Sequence, residues 1–559
     1  MNGAGAACAD DTASGGLAMT LTQTDVSAAS ATAKHYGAVI VGGGFAGLYA
    51  LHKLRGLGFS ARVYEAGDGI GGTWFWNRYP GARVDIQSLE YSYQFDEALQ
   101  QQWDWSERYA PQSELLDYAN HVADRFDLWP DIQLDTRVAA LRYDDAAGVW
   151  RATTDRGEAV TADYVVMATG CLSSTNTPDF PGLASFTGRL LHTGRWPKEP
   201  VDFSGRRVGI VGTGSSAIQT IPLVAAQAAH LTVFQRTANY SVPAHNGPIP
   251  DAVVREVKSR YADYRAANNL TALGADWDYR DDTAMEHTPE ERAAEYEGRW
   301  ARGGLSFYGS YADLLVDPVA NATAAEFIRG KIRQIVKDPA TAQTLCPTAA
   351  LACKRICVDT GYYATYNRPN VTLVDVKTAP IEAITPTGLR TADADYELDD
   401  LILATGFDAM TGPLTRMDIR GVDGLALKDA WAEGPKNYLG LCVAGFPNLF
   451  IVAGPGSPSV LTNMLPSIEQ HVNWIGATVD HLRANGLNRI EARVPAQEAW
   501  VAHVNETAAP TILATCNSWY LGANIPGKPR VFMPYLGFAP YVAKCEEVVA
   551  NGYEGFALA

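Results

Sequence analysis

Cysteine is scarce in this chain: eight in 559 residues, at Cys8, Cys171, Cys346, Cys353, Cys357, Cys442, Cys516 and Cys545. None forms a C-x-x-C pair, which excludes a local dithiol redox centre, and Cys353 and Cys357 have no second Cys/His pair nearby to close a metal site. Free thiols in a reducing, cytoplasmic setting are the expectation, with no metal. Positive charge is short as well. Lys and Arg number 45 against 62 Asp and Glu, a net charge of −17 that repels phosphate backbones and argues against nucleic acid as a partner. No apolar run approaches the roughly 20 residues that cross a bilayer, so no membrane is expected either. Residues 1–34 are rich in Ala, Gly, Ser and Thr, carry Asp10 and Asp11, and have no basic start or continuous apolar core. They read as a flexible tail and not as a signal peptide. Solenoid repeat periods are absent.

What the chain does have is the composition of a globular enzyme, 47% hydrophobic and 19% charged, at a length that implies more than one domain. It also has the same grammar twice. Tyr36-Gly-Ala-Val-Ile-Val41 is a short apolar run, read as a buried parallel strand, that ends in Gly42-Gly-Gly44-Phe-Ala-Gly47 and opens a helix; Arg62-Val-Tyr64 follows, with Glu65 at its end. Further on, Arg207-Val-Gly-Ile-Val211 leads into Gly212-Thr213-Gly214-Ser215-Ser216-Ala217, a helix that carries Gln219, and Leu231-Thr-Val-Phe-Gln235 with Arg236-Thr237 at its end. In such a strand–glycine–helix turn the first glycine permits the tight turn, the second lets a pyrophosphate approach the backbone, and the third lets helix and strand pack closely. The unpaired N–H groups of the helix start then hold the phosphate. Glu65 can accept from ribose hydroxyls. Arg236 stands where an NAD site carries an acid, and a guanidinium there can bind a 2′-phosphate bidentately, so the second site is expected to take NADPH and the first FAD.

Two strands end alike, at Ala168-Thr-Gly170 and Ala404-Thr-Gly406, each followed by a stretch of turn formers. These read as the crossings between a discontinuous FAD domain (35–170 and 400–559) and an NADP domain (171–242 and 345–399). The charged, Ala- and Tyr-rich segment 243–344 reads as a helical insertion. The expected fold class is α/β, two Rossmann-like dinucleotide-binding domains with that insertion.

Two longer patterns point to the chemistry. Phe186-Thr-Gly188-Arg-Leu-Leu-His192-Thr-Gly-Arg-Trp196-Pro197 lies between the glycine loops, and Gly71-Gly72-Thr73-Trp74-Phe-Trp-Asn-Arg-Tyr79-Pro-Gly81-Ala-Arg83-Val84-Asp85 follows the first of them. On these residues, and on Lys354-Arg355 and Asn517-Ser-Trp519-Tyr-Leu-Gly522-Ala-Asn524, the chain resembles the type I Baeyer–Villiger monooxygenases, nearest to the phenylacetone- and steroid-oxidising members. The resemblance implies a single-component enzyme that needs no protein reductase. It would oxidise ketones, bulky, aryl or cyclic, to esters or lactones with O2 through a flavin C4a-peroxide. It assigns Arg355 to stabilising the anion of that chemistry, Asp85 to orienting Arg355, Lys354 to reinforcing Arg236 at the 2′-phosphate, and Trp519 to a lid over the nicotinamide. It places Gly72, Thr73, Trp74, Arg83, Val84, Tyr91 and Met464 around the flavin and Val138 at the adenine. His192 and Trp196, at a domain crossing, are expected to control domain orientation. An N- or S-oxygenating flavin monooxygenase is the alternative reading.

Overall fold

The computed structural model describes residues 34–559. The expected tail and Cys8 lie outside the described residues, save Lys34, which opens the first strand. That strand, β1 (Lys34–Val41), runs parallel to β2 (Ala61–Tyr64), with Ala38 opposite Ala61, and α1 (Phe45–Gly56) crosses between them. Ala38, Val39 and Ile40 are wholly buried, as a strand covered on both faces requires. β3 (Ile132–Gln133) extends the sheet beside β2. β4 (Val138–Asp144), β5 (Val149–Thr154) and β6 (Ala159–Met167) form an antiparallel meander that joins the sheet through the parallel pair β6–β1.

The chain then builds a second, all-parallel sheet. Its strands are β7 (Arg189–His192), β8 (Arg207–Val211), β9 (His230–Gln235), β10 (Val371–Asp375) and β11 (Asp400–Leu403), in the spatial order β10-β9-β8-β11-β7. Helix α2 (Ser215–Gln227) makes the β8–β9 crossover. After β11 the chain returns to the first sheet, adding β12 (Asp418–Arg420) beside β4 and β13 (Leu449–Ile451) beside β6. Helix α3 (Met464–Ala484) then packs against α1. The fold class is α/β with two Rossmann-like units, as the sequence pattern implies.

Between β9 and β10 lies helical chain: Asp251–Ser259, Tyr261–Asn269, Pro289–Arg302, Pro318–Ile335 and Pro339–Leu345. The starts of the last three are written locally. Thr288 and Glu291 form a reciprocal capping box, while the carboxylates of Asp317 and Asp338 accept from Val319 N–H and Thr341 N–H ahead of Pro318 and Pro339. This segment reaches the connection between β2 and β3 through Arg265, which donates to the Glu90 carbonyl (2.6 Å) and to Ser92 Oγ (2.5 Å).

The two links between the sheets meet. Thr175 bridges Phe407, and Thr405 Oγ1 donates to the carbonyl of Asn176 at 2.6 Å. Among the described residues no helix is long and apolar enough to cross a membrane. The expectation of free thiols needs correction at two positions: Cys353 and Cys516 form a disulfide across a sequence separation of 163. A search for local Cys spacing is blind to such a pair. Cys171, Cys346, Cys357, Cys442 and Cys545 are free and buried.

Candidate active site

Each glycine loop sits at the end of an interior strand of its sheet. Gly42 and Gly212 share the same unusual backbone, with φ of +108° and +113°, and a Cβ on either would lie 2.5 Å from a carbonyl oxygen, that of Ala168 or Ala404. These are the residues of the two matching strand ends, so the turns are built alike and only glycine fits. A side chain at Gly47 would run into the carbonyl of Gly42, and α1 could not approach β1. Helices α1 and α2 both begin without a side-chain cap and without an acid in the first turn. Their leading N–H groups are free to hold an anion. The space beside Gly214 is open.

Glu65 is buried at the end of β2. One carboxylate oxygen accepts from Gly43 N–H (2.6 Å) and the other from Gly67 N–H (2.8 Å). Burial pushes its carboxyl above the ordinary range, and those N–H groups work against the rise. Glu65 thus fixes the glycine loop, and each oxygen keeps a further lone pair for a ribose hydroxyl. At the second site Thr213 Oγ1 donates to the carbonyl of Thr237 at 2.9 Å, while Arg236 and Thr237 are exposed. Lys354 lies beside Arg236: burial, then that like charge, holds its ammonium below the usual range. Among the described residues neither cation forms an ion pair. Two adjacent cations without a carboxylate fit a phosphate that carries the missing charge.

The turn that carries Lys354 delivers Arg355 to Asp85. Arg355 Nε donates to one Asp85 oxygen at 2.6 Å, its Nη2 to the other at 3.1 Å, and its Nη1 to the carbonyl of Val460 at 3.2 Å. Burial opposes the charge of Arg355, and the Asp85 carboxylate more than restores it, so the guanidinium stays protonated. Among the described residues, three of its five N–H donors are used and two remain. Such a group, held still and partly dehydrated, can stabilise an anionic oxygen as it forms.

Two phenols face this arginine. Tyr308, from the helical segment, accepts from Ile356 N–H at 2.8 Å, and Tyr520 lies against Arg355 from the far end of the chain. Burial raises the pKa of both phenols, which stay neutral donors. Sequence reasoning missed both. Tyr520 adjoins Trp519 inside the Asn517–Asn524 motif and could have been found, whereas Tyr308 lies in a segment with no motif at all. Trp519 is half-buried, its ring 4.3 Å from that of Tyr520.

The remaining expected residues fall as follows. Gly72, Thr73 and Trp74 open the short helix Thr73–Trp76, whose start touches Gly44, and Trp74 Nε1 donates to the Tyr91 hydroxyl at 3.3 Å. Val84 is buried beside Asp85. Arg83 is engaged elsewhere, paired with Glu107 at 2.9 Å and with the carbonyl of Tyr109 at 3.2 Å. Val138 is buried in β4, two residues beyond Thr136, whose N–H donates to the Glu65 carbonyl. Met464 opens α3, half-buried, after Asn463 as its cap. Ser215, Ser216 and Ala217 open α2. Gln219 does not turn to the glycine loop. Its Oε1 accepts from the Tyr79 hydroxyl at 2.9 Å and its Nε2 donates to the Arg83 carbonyl at 3.1 Å, which joins α2 to the first sheet's site loop. His192 lies at the crossings, its Nε2 3.3 Å from the Asn176 carbonyl and 3.4 Å from Thr405 Oγ1, with burial lowering its pKa. Trp196 is buried close to Phe203.

Two dinucleotide folds in one chain, with a fixed arginine–carboxylate pair where they meet, define a flavin-dependent oxidoreductase. The family model for flavin-binding monooxygenase-like proteins matches residues 35–247. The chain is 45% identical over 525 residues to a Baeyer–Villiger monooxygenase of Pseudooceanicola batsensis, spanning 93% of this chain and 95% of that one. It is 42% identical over 529 residues to a phenazine N-monooxygenase of Lysobacter antibioticus, spanning 94% and 97%. A solved steroid monooxygenase bound to NADP superposes with a TM-score of 0.90 at 49% identity, over 94% of this chain and 99% of that one. The chain belongs to the Baeyer–Villiger monooxygenase family.

Proposed function

We propose that this chain uses NADPH, FAD and O2 to insert one oxygen atom beside the carbonyl of a bulky, aryl or cyclic ketone. Ketone, O2, NADPH and a proton give ester or lactone, NADP+ and water. When bound, FAD reduced by NADPH supplies, with O2, the oxygen nucleophile. The first glycine loop with Glu65 holds FAD; the second, with Arg236 and Lys354, holds NADPH. Arg355 keeps the nucleophile anionic and stabilises the oxyanion that forms when it adds to the carbonyl, and Asp85 orients Arg355. Trp519 and Tyr520 close the site against water. Both half-reactions have their site on this chain, so no protein reductase takes part, and the substrate is a small-molecule ketone.

One observation carries this reading: a guanidinium fixed bidentately by a carboxylate, with two N–H groups to spare. The test is a ketone panel under 18O2, with NADPH oxidation followed and the product identified by mass. Labelled ester is expected. NADPH oxidation that yields hydrogen peroxide and no ester from any ketone overturns it. The likeness to a phenazine N-monooxygenase favours a second activity, oxygen transfer to an aromatic ring nitrogen. That transfer needs an electrophilic, protonated oxygen donor and so gains nothing from Arg355. It survives Arg355→Ala, whereas ester formation does not.

A further inference from the structure

Cys353 directly precedes Lys354-Arg355, and Cys516 stands three residues before Trp519. Their disulfide therefore joins the turn that delivers both working cations to the segment that carries the aromatic lid. The turn needs holding. Ala352, immediately before Cys353, has a φ of +71°, the left-handed region that an alanine adopts only when its surroundings enforce it. The lid segment meets its surroundings at its centre through a buried Tyr520 and a few hydrogen bonds. Met533 N–H donates to the Tyr520 carbonyl, Asn524 donates to the carbonyl of Phe407 at 2.7 Å, and Tyr520 leans on Arg355. Among the described residues the disulfide is the one covalent crosslink between the two segments.

Resting on the function argued above, we propose that Cys353 and Cys516 are positioning residues. Their disulfide straps the Lys354-Arg355 turn to the Trp519–Tyr520 segment and so sets how tightly NADPH oxidation is coupled to oxygen insertion. Opening it breaks one S–S bond and forms two S–H bonds; the two electrons and two protons come from a dithiol, which leaves as its own disulfide. Cys353 is partly exposed, so a dithiol can reach it. With the strap open, the lid segment moves independently of Arg355 and admits water.

The holoenzyme is digested without reductant and the peptides mapped by mass; a peptide containing Cys353 linked to one containing Cys516 is expected. Amide exchange over residues 515–524 and ester formed per NADPH are then compared for untreated enzyme, dithiol-treated enzyme and the C353S/C516S variant. Treated and variant enzymes should exchange faster there. Their ester per NADPH should fall on the order of 10-fold, within the ~100-fold that a 1 Å misplacement can cost. The rate of flavin reduction by NADPH should hold, and dithiol should change nothing further in the variant. Absence of the linked peptide overturns the proposal, as does unchanged exchange and coupling after the bond is opened. A lower melting temperature with coupling intact would mean a structural crosslink only, and the positioning role falls. Should the variant fail to fold, the dithiol-treated wild type gives the same comparison. A wild type that forms no ester from any ketone refutes the functional reading and the coupling role with it, while peptide mapping and exchange, which need no substrate, still decide whether the bond exists and holds the segment.

Discussion

At Arg355 two physical demands conflict: burial penalises the guanidinium charge, and Asp85 restores it. The pair is worth having only if the positive charge has work beyond its partner, and the proposed function gives that work to the two spare N–H groups. Arg355→Ala should therefore still reduce its flavin with NADPH but lose ester formation by on the order of 3–4 kcal/mol of barrier, the scale of a lost oxyanion donor; single-turnover ester yield after anaerobic reduction checks this. Asp85→Asn keeps the shape and one acceptor but removes the charge, so a smaller loss is expected in the same assay. Arg236 and Lys354 make the complementary case of two cations with no carboxylate. Arg236→Ala should raise KM for NADPH by about 10- to 100-fold, the ~1.5–3 kcal/mol of a hydrogen bond to a charged group, and leave KM for NADH nearly unchanged. Equal losses with both coenzymes would place the 2′-phosphate elsewhere.

At the scale of elements, what the sequence could say was local. The units β1–α1–β2 and β8–α2–β9 were legible because apolar run, glycine turn, helix and terminal residue all fall within a short stretch, and the chain must bury each strand on both faces. Tyr308 and the Cys353–Cys516 pair were not legible, because no local periodicity records which distant segments touch. Helix α3 carries another such contact. Its Glu469 is buried, and one carboxylate oxygen accepts from Gln94 N–H (2.7 Å) and Phe95 N–H (3.0 Å). Burial pushes its carboxyl from 4.5 up to about 7, against those N–H groups and the charge of Arg265. A raised acid stabilises the fold fully below pH 4.5, and that contribution is lost as pH rises through about 7. Glu469→Gln keeps the accepting oxygen and removes the titration. It should match wild type near pH 4.5 and exceed it above pH 7, by at most about 3 kcal/mol at 1.36 kcal/mol per pH unit. His471, two residues further along α3, acts in the opposite sense: burial pushes it down to about 3, so its contribution fades as pH falls below 6.5. Denaturation midpoints across pH 4.5–8 separate the two.

For the molecule as a whole, the question is how two dinucleotide folds are kept in register so that a hydride can pass between their ligands. The crossings do part of this through Thr405, Asn176 and His192, residues whose motifs were visible although their meeting was not. The other part is a contact the sequence conceals. Gln219 looks like a nucleotide-loop residue by its position in α2, yet both ends of its amide are spent on Tyr79 and Arg83 of the other fold. Beside it Gly81, with a φ of +84°, brings its backbone so close that a Cβ would lie 2.5 Å from the Gln219 carbonyl. Gly81→Ala therefore carries two costs, the left-handed backbone of about 1–2 kcal/mol and a clash that pushes the folds apart. Gly157, with a φ of +77° in the turn between β5 and β6, carries the first cost alone, since nothing lies within 4 Å of a Cβ there. Both alanine variants should lose similar backbone stability in thermal unfolding. Only Gly81→Ala should also slow flavin reduction by NADPH in anaerobic stopped flow, because only there does the distance between the two ligands change. Equal reduction rates in the two variants would mean that register is set at the crossings alone.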